Sequence, residues 1–181
     1  MEKGYRFSFG PWNIHTGADP FGPPVRDEFS FDEKLDIAVN LKFDGIQFHD
    51  DDIVNVDLSA PEIEKKTRDI KKKLDDRNLK AEFVAPRMWE HPMTVDGTFT
   101  SNNPQARRYA IERTKKAIDI ANIIGTKNLV LWPAREGTYQ RESKDAKIAI
   151  DRFVEYLNSI LEYDKNIRVL GEMKPNEPMD A

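Results

Sequence analysis

The run Val169-Leu170-Gly171-Glu172-Met173-Lys174-Pro175-Asn176-Glu177-Pro178 begins as an apolar strand and ends by delivering a carboxylate and an amine. Glu172 and Lys174 are two positions apart, so an extended chain places both on one face at its C-terminal tip. The same design recurs upstream. Asp44-Gly45-Ile46-Gln47-Phe48 runs straight into His49, and a strand from Asn128 to Trp132 ends on its tryptophan. A strand from Lys80 to Ala85 is followed by Trp89, and a first strand from about Tyr5 to Pro11 by Trp12. Polar and aromatic residues therefore collect beyond one end of every apolar run.

Long helical runs separate these strands. Phe31 to Leu41 carries the 3.6-residue period through Leu35, Ile37, Ala38 and Leu41, and Ser30 with Glu33 forms a capping-box signature before it. Further helices are read from Pro61 to about Asn78, from Pro104 to Ile124 with Gly125 just past its end, and from about Lys144 to Tyr163. Such alternation predicts an α/β protein with a parallel sheet and right-handed crossovers. A doubly wound sheet and a (β/α) barrel share that rhythm. No glycine-rich phosphate turn follows the first strand, and the functional residue types gather on the rim where barrels carry their sites. The expectation is a partial TIM-type (β/α) barrel of about five parallel strands and four helices, forming a single domain over residues 1–181. A complete barrel has eight strands and about 250 residues.

The composition narrows the classes of function. With 33% charged and 39% hydrophobic residues and a net charge of −4, the chain reads as soluble and globular. The absence of a basic block argues against nucleic acid, and no apolar run approaches the ~20 residues of a membrane span. The first residues, Met1-Glu2-Lys3-Gly4, lack a signal-peptide core, and a cytoplasmic location is expected. Without cysteine there are no disulfides and no thiolate metal ligands.

Three groups of residues could carry chemistry. His49 precedes Asp50-Asp51-Asp52, and Asp52 can fold back to accept from one ring nitrogen and fix the tautomer, leaving the other free for proton transfer. An acidic surface turn would share this sequence. Trp12, Trp89 and Trp132 all follow strand ends and would form an apolar wall for the C–H faces of a sugar; ordinary core packing would also use them. Glu172 could bind a hard divalent cation and Lys174 a carbonyl or hydroxyl oxygen, while a salt bridge in a barrel mouth fits the spacing equally well. Asp50, Asp51 and Glu177 are further carboxylates with nothing to set them at metal distance. His15 and His91 read as structural or solvated, and Glu62 to Asp76 as a solvated helix face.

Taken in order, these motifs resemble the N-terminal half of the xylose isomerase family, nearly end to end. The segments are Phe7-Ser8-Phe9-Gly10-Pro11-Trp12 with Asp19-Pro20-Phe21-Gly22, Phe48-His49-Asp50-Asp51-Asp52, His91-Pro92 with Gly97-Thr98-Phe99-Thr100-Ser101-Asn102, Trp132 with Arg135-Glu136-Gly137, and Glu172 with Lys174-Pro175-Asn176-Glu177-Pro178. The resemblance implies aldose–ketose isomerisation of xylose or glucose by a metal-assisted hydride shift. It implies that His49, oriented by Asp52, helps open the sugar ring, that Trp12, Trp89 and Trp132 line the pocket, and that Phe21 reaches into a neighbouring subunit's site. It also implies Glu172 as ligand to Mg2+, Mn2+ or Co2+ and Lys174 as partner of the oxygen on the first sugar carbon. Met173, Pro133-Ala134, Ala85 and Trp89 depart from the usual family residues. The family's remaining metal ligands lie on later strands, so the resemblance implies a half-barrel. Its unpaired edge strands predict a homo-oligomer, a dimer or higher, or pairing with a complementary C-terminal half.

Overall fold

The computed structural model describes residues 4–17 and 21–173. Asp19, Pro20, Lys174 and the Pro175 to Pro178 run lie outside the described residues.

Five strands, β1 (Ser8–Phe9), β2 (Gly45–His49), β3 (Lys80–Ala85), β4 (Asn128–Leu131) and β5 (Arg168–Gly171), form one sheet in the order β1-β2-β3-β4-β5. Every neighbouring pair is parallel. A doubly wound sheet reverses its strand order at a switch point, whereas this order never reverses, which is the progression of a barrel wall. The helices are α1 (Phe31–Asn40), the one-turn α2 (Asp50–Ile53), α3 (Ala60–Asp76), α4 (Pro104–Ile124) and α5 (Ala146–Tyr163). Among the described residues the sheet is open, a partial barrel.

Local chemistry explains the boundaries. Ser30 caps α1 by accepting from the Glu33 N–H, and Glu33 accepts from the Ser30 N–H (2.7 Å). Ser59 and Glu62 repeat the exchange at α3. The expected first strand shortens to Ser8–Phe9 because Pro11 has no N–H for a ladder and opens a 3-10 turn instead. The run Asp50-Asp51-Asp52 forms the first turn of α2, where carboxylates suit the positive end of a helix.

Strand alternation separates a helix-facing layer from an inner face. Ile46, Phe48, Val84 and Leu129 are fully buried and join Leu35 of α1, Leu74 of α3, Ile118 and Ala121 of α4 and Ile160 of α5 in one core. The alternate residues Gln47 and His49 point the other way, and Gln47 reaches Ser8 of β1 (3.0 Å). The inner face stays partly open, with Leu170 of β5 38% exposed.

Gly125 ends α4 at φ 99°, the left-handed region. A Cβ there would meet nothing nearer than the Lys71 side chain at 3.7 Å, so conformation rather than space requires glycine. Gly125→Ala should therefore lower stability by about 1 kcal/mol, read as a shift in urea midpoint with unchanged slope.

Candidate functional site

The C-terminal ends of β1 to β4 bring an unbroken row of rings together. Trp12 lies 4.3 Å from His49 between ring centroids, His49 5.3 Å from Trp89, and Trp89 4.5 Å from Trp132. Gly10 makes the first contact possible, since a Cβ there would fall 2.2 Å from the Trp12 ring. All three indoles are half-buried. Beside Trp89 and Trp132 opens a cavity of about 480 Å3, lined also by Asp96, Arg135, Thr138 and Gln140. That volume falls within the range of small-molecule sites.

The loops behind Trp89 and Trp132 are latched to each other. Arg135 donates to the Trp89 carbonyl (2.8 Å). The Glu136 carboxylate accepts from the Thr98 and Thr100 N–H groups (both 2.9 Å) and from the Thr98 and Thr100 hydroxyls. Buried Lys144 donates to the carbonyls of Asp96 and Glu136 (both 2.9 Å), and burial lowers its pKa. The Gly97 to Ser101 and Arg135 to Gly137 motifs are thus the two halves of this latch.

Beneath the rings lies a charge network that sequence reading missed. Asp50 is fully buried, and Arg113 of α4 grips both its oxygens, Nε to Oδ2 and Nη2 to Oδ1, each at 2.8 Å. The Arg87 and Asp51 N–H groups also donate to Oδ1 (2.9 and 3.0 Å). Burial opposes the charge on Arg113, yet Asp50 outweighs it and the guanidinium pKa is raised. Arg87 donates through Nε to Asp51 (2.8 Å) and through Nη2 to Asp52 (3.1 Å), and Nη2 lies 2.7 Å from His49 Nδ1. The one available signal was that three consecutive acids at the end of a buried strand need cations.

Asp52 does fold back, with its carboxylate accepting from the His49 backbone N–H (2.8 Å) and Oδ2 3.3 Å from Nδ1. Burial pushes the Asp52 carboxyl up, but the hydrogen bond from the His49 backbone N–H and the Arg87 charge act against it, and the pKa is lowered. Glu172 follows β5, exposed, its N–H bonded to the Leu131 carbonyl (2.9 Å), which sets it level with Trp132. Phe21 is 97% exposed, and Lys174 lies outside the described residues. No group of three His, Asp or Glu side chains among the described residues could hold a metal ion. Glu172 offers one carboxylate and Asp50 is fully engaged, so the described residues do not make a divalent-cation site.

Residues 35–180 match the family described as xylose isomerase-like TIM barrel. The chain belongs to this family. Solved structures agree at the level of fold. L-ribulose 3-epimerase superposes with a TM-score of 0.64 at 13% identity, the match covering 95% of this chain and 50% of that one. D-psicose 3-epimerase gives 0.60 at 16% identity, covering 82% and 48%. An AP endonuclease of family 2 from Brucella melitensis gives 0.61 at 17% identity, covering 96% and 57%. The chain thus spans about half the length of these xylose isomerase-like relatives. Among its described residues no helix is long and apolar enough to cross a membrane.

Two predictions follow from the charge network. Asp50→Ala removes the bidentate partner of Arg113 and leaves it only Asp51 as an ionic contact (3.1 Å), and it should cost about 2–4 kcal/mol of stability, measured by chemical denaturation. The stability that Asp52 contributes is complete above its ordinary pKa of 3.8 and is lost as pH falls below that value through the lowered folded pKa. Asp52→Asn should remove that part of the acid limb in a stability-against-pH series.

Proposed function

We propose that this chain is the substrate-holding half of an aldose–ketose isomerase acting on D-xylose or the similarly shaped D-glucose. The observation that carries the reading is the row Trp12–His49–Trp89–Trp132, which sets an imidazole among three indoles at the strand tips of a xylose isomerase-like fold. Flat apolar rings suit the C–H faces of a sugar and keep water from a hydrogen shift between adjacent carbons. His49 is the group in that wall able to contact the ring oxygen or carbonyl oxygen of the sugar. A divalent cation, Mg2+, Mn2+ or Co2+, would need ligands beyond the described residues. A complementary C-terminal half would supply them, and either that half or a second copy of the chain would cover the open sheet edges.

A second reading is a half-barrel that binds sugar with little turnover. It is favoured by the lack of a three-donor cluster among the described residues.

Purified chain should convert D-xylose to D-xylulose in the presence of one of the three cations, and His49→Ala should lower kcat by about 10²–10³-fold through loss of a hydrogen-bonding group at the sugar oxygen. Quenching of tryptophan fluorescence by D-xylose without turnover supports the second reading, and neither quenching nor turnover overturns both. Sedimentation should show self-association; a strictly monomeric chain at high concentration excludes the second-copy arrangement.

A further inference from the structure

The charged groups around His49 determine which hydrogen it can present. Arg87 comes from the segment after β3, Asp51 and Asp52 from α2, and the Trp12 and Trp89 rings close the two sides. Arginine is always protonated and has no acceptor atom, so every Arg87 nitrogen presents N–H. Its Nε–H is directed to Asp51, its Nη1 to Glu90 (3.3 Å), and the two Nη2 hydrogens to Asp52 and to His49 Nδ1. A hydrogen on Nδ1 would meet an Nη2 hydrogen across 2.7 Å. The competing partner of Nδ1, Asp52 Oδ2, is farther away at 3.3 Å and already accepts from the His49 backbone N–H. Nδ1 is therefore an acceptor. The ring proton resides on Nε2, which has no hydrogen-bond partner among the described residues.

We propose that Arg87 is a positioning residue that fixes the Nε2–H tautomer of His49, so that the imidazole meets a sugar oxygen as a neutral hydrogen-bond donor. This deepens the sugar-isomerase reading and rests on it for the identity of the oxygen. The arrangement reverses the one expected from the His49–Asp52 spacing, in which Asp52 holds a proton on Nδ1 and Nε2 accepts. A neutral donor polarises a carbonyl or steadies a ring oxygen without gaining or losing a proton, so the proton transfers of ring opening fall to other groups. Arg87 is held for the task by Asp51, Asp52 and Glu90, and its Cζ lies 5.8 Å from the Trp89 ring centroid.

Long-range 1H–15N correlation spectra of 15N-labelled chain, without sugar, read the tautomer directly. The chain has three histidines. His15 and His91 both accept a backbone N–H at Nδ1, from Gly17 (2.9 Å) and Met93 (3.1 Å), and serve as internal references for the Nε2–H pattern. His49, assigned by its loss in His49→Ala, should show that same pattern. Asp52→Asn should leave it unchanged, and Arg87→Met should move the proton to Nδ1, where Asp52 can accept it. An Nδ1–H pattern in the unaltered chain, or a switch caused by Asp52→Asn, overturns the proposal. So does a folded Arg87→Met that keeps the Nε2–H pattern. Should Arg87→Met fail to fold, the unaltered chain and Asp52→Asn decide alone. Turnover of D-xylose together with an Nδ1–H pattern defeats only this inference. An Nε2–H pattern with neither turnover nor sugar binding defeats only the isomerase reading.

Discussion

The buried charge of Asp50 is the constraint from which the arrangement follows. It sits one residue beyond β2, where the chain must leave the sheet, and it is wholly removed from water. A carboxylate there is tolerable only if paired and fully hydrogen-bonded. It obtains two guanidinium hydrogens from α4 and two backbone N–H groups, its neighbour's and that of Arg87. Satisfying one ion thus ties the tip of β2, the exit from β3 and the middle of α4 to a common point. The Arg87 backbone is held there, and its side chain reaches Asp51, Asp52 and His49 from a fixed origin.

The parts of the fold set by local chemistry were legible in the sequence. The capping box at Ser30, the proline openings of α3 and α4 and the glycine after Ile124 all act within a few residues, so spacing exposes them. The collection of Trp12, His49, Trp89 and Trp132 was legible for a related reason, because a parallel sheet sends every strand's C-terminal tip to one side. The network beneath was not. Arg87 lies 38 residues from His49, and Arg113 lies 63 from Asp50, and nothing in either segment marks the pairing. Asp52 shows the limit most clearly. The i+3 spacing brings its carboxylate beside His49, but the spacing could not reveal that a third residue would lie nearer to Nδ1.

The loop latch explains how a wall of aromatic side chains can be a surface rather than a collapsed core. Half-buried indoles would close on one another if their loops were free. Arg135 fixes the Trp89 backbone, and the Glu136 and Lys144 contacts hold the segment before α4 to the segment after β4. These loop contacts hold the segments that carry Trp89 and Trp132, both of which line the 480 Å3 cavity. The motifs Gly97-Thr98-Phe99-Thr100 and Arg135-Glu136-Gly137 therefore serve the site by position, without contributing a reacting group.

The two ends of the sheet differ in how completely their polar groups are used, and that difference locates the chemistry. At the strand N-termini, Glu82 pairs with Arg6, its carbonyl accepts from Thr126 and Asn128, and Asn128 in turn accepts from Arg168. These bonds link the segment before β1 to β3, and β3 through β4 to β5. At the opposite end the acids and guanidinium groups are also matched, but the matching stops at the imidazole. His49 is bonded on Nδ1 and bracketed by indoles, and its Nε2 has no partner among the described residues. Among the described residues that nitrogen is the point at which the paired network ends. The arrangement is intelligible when that atom's partner is a ligand, and in a barrel wall the C-terminal rim is where a ligand arrives.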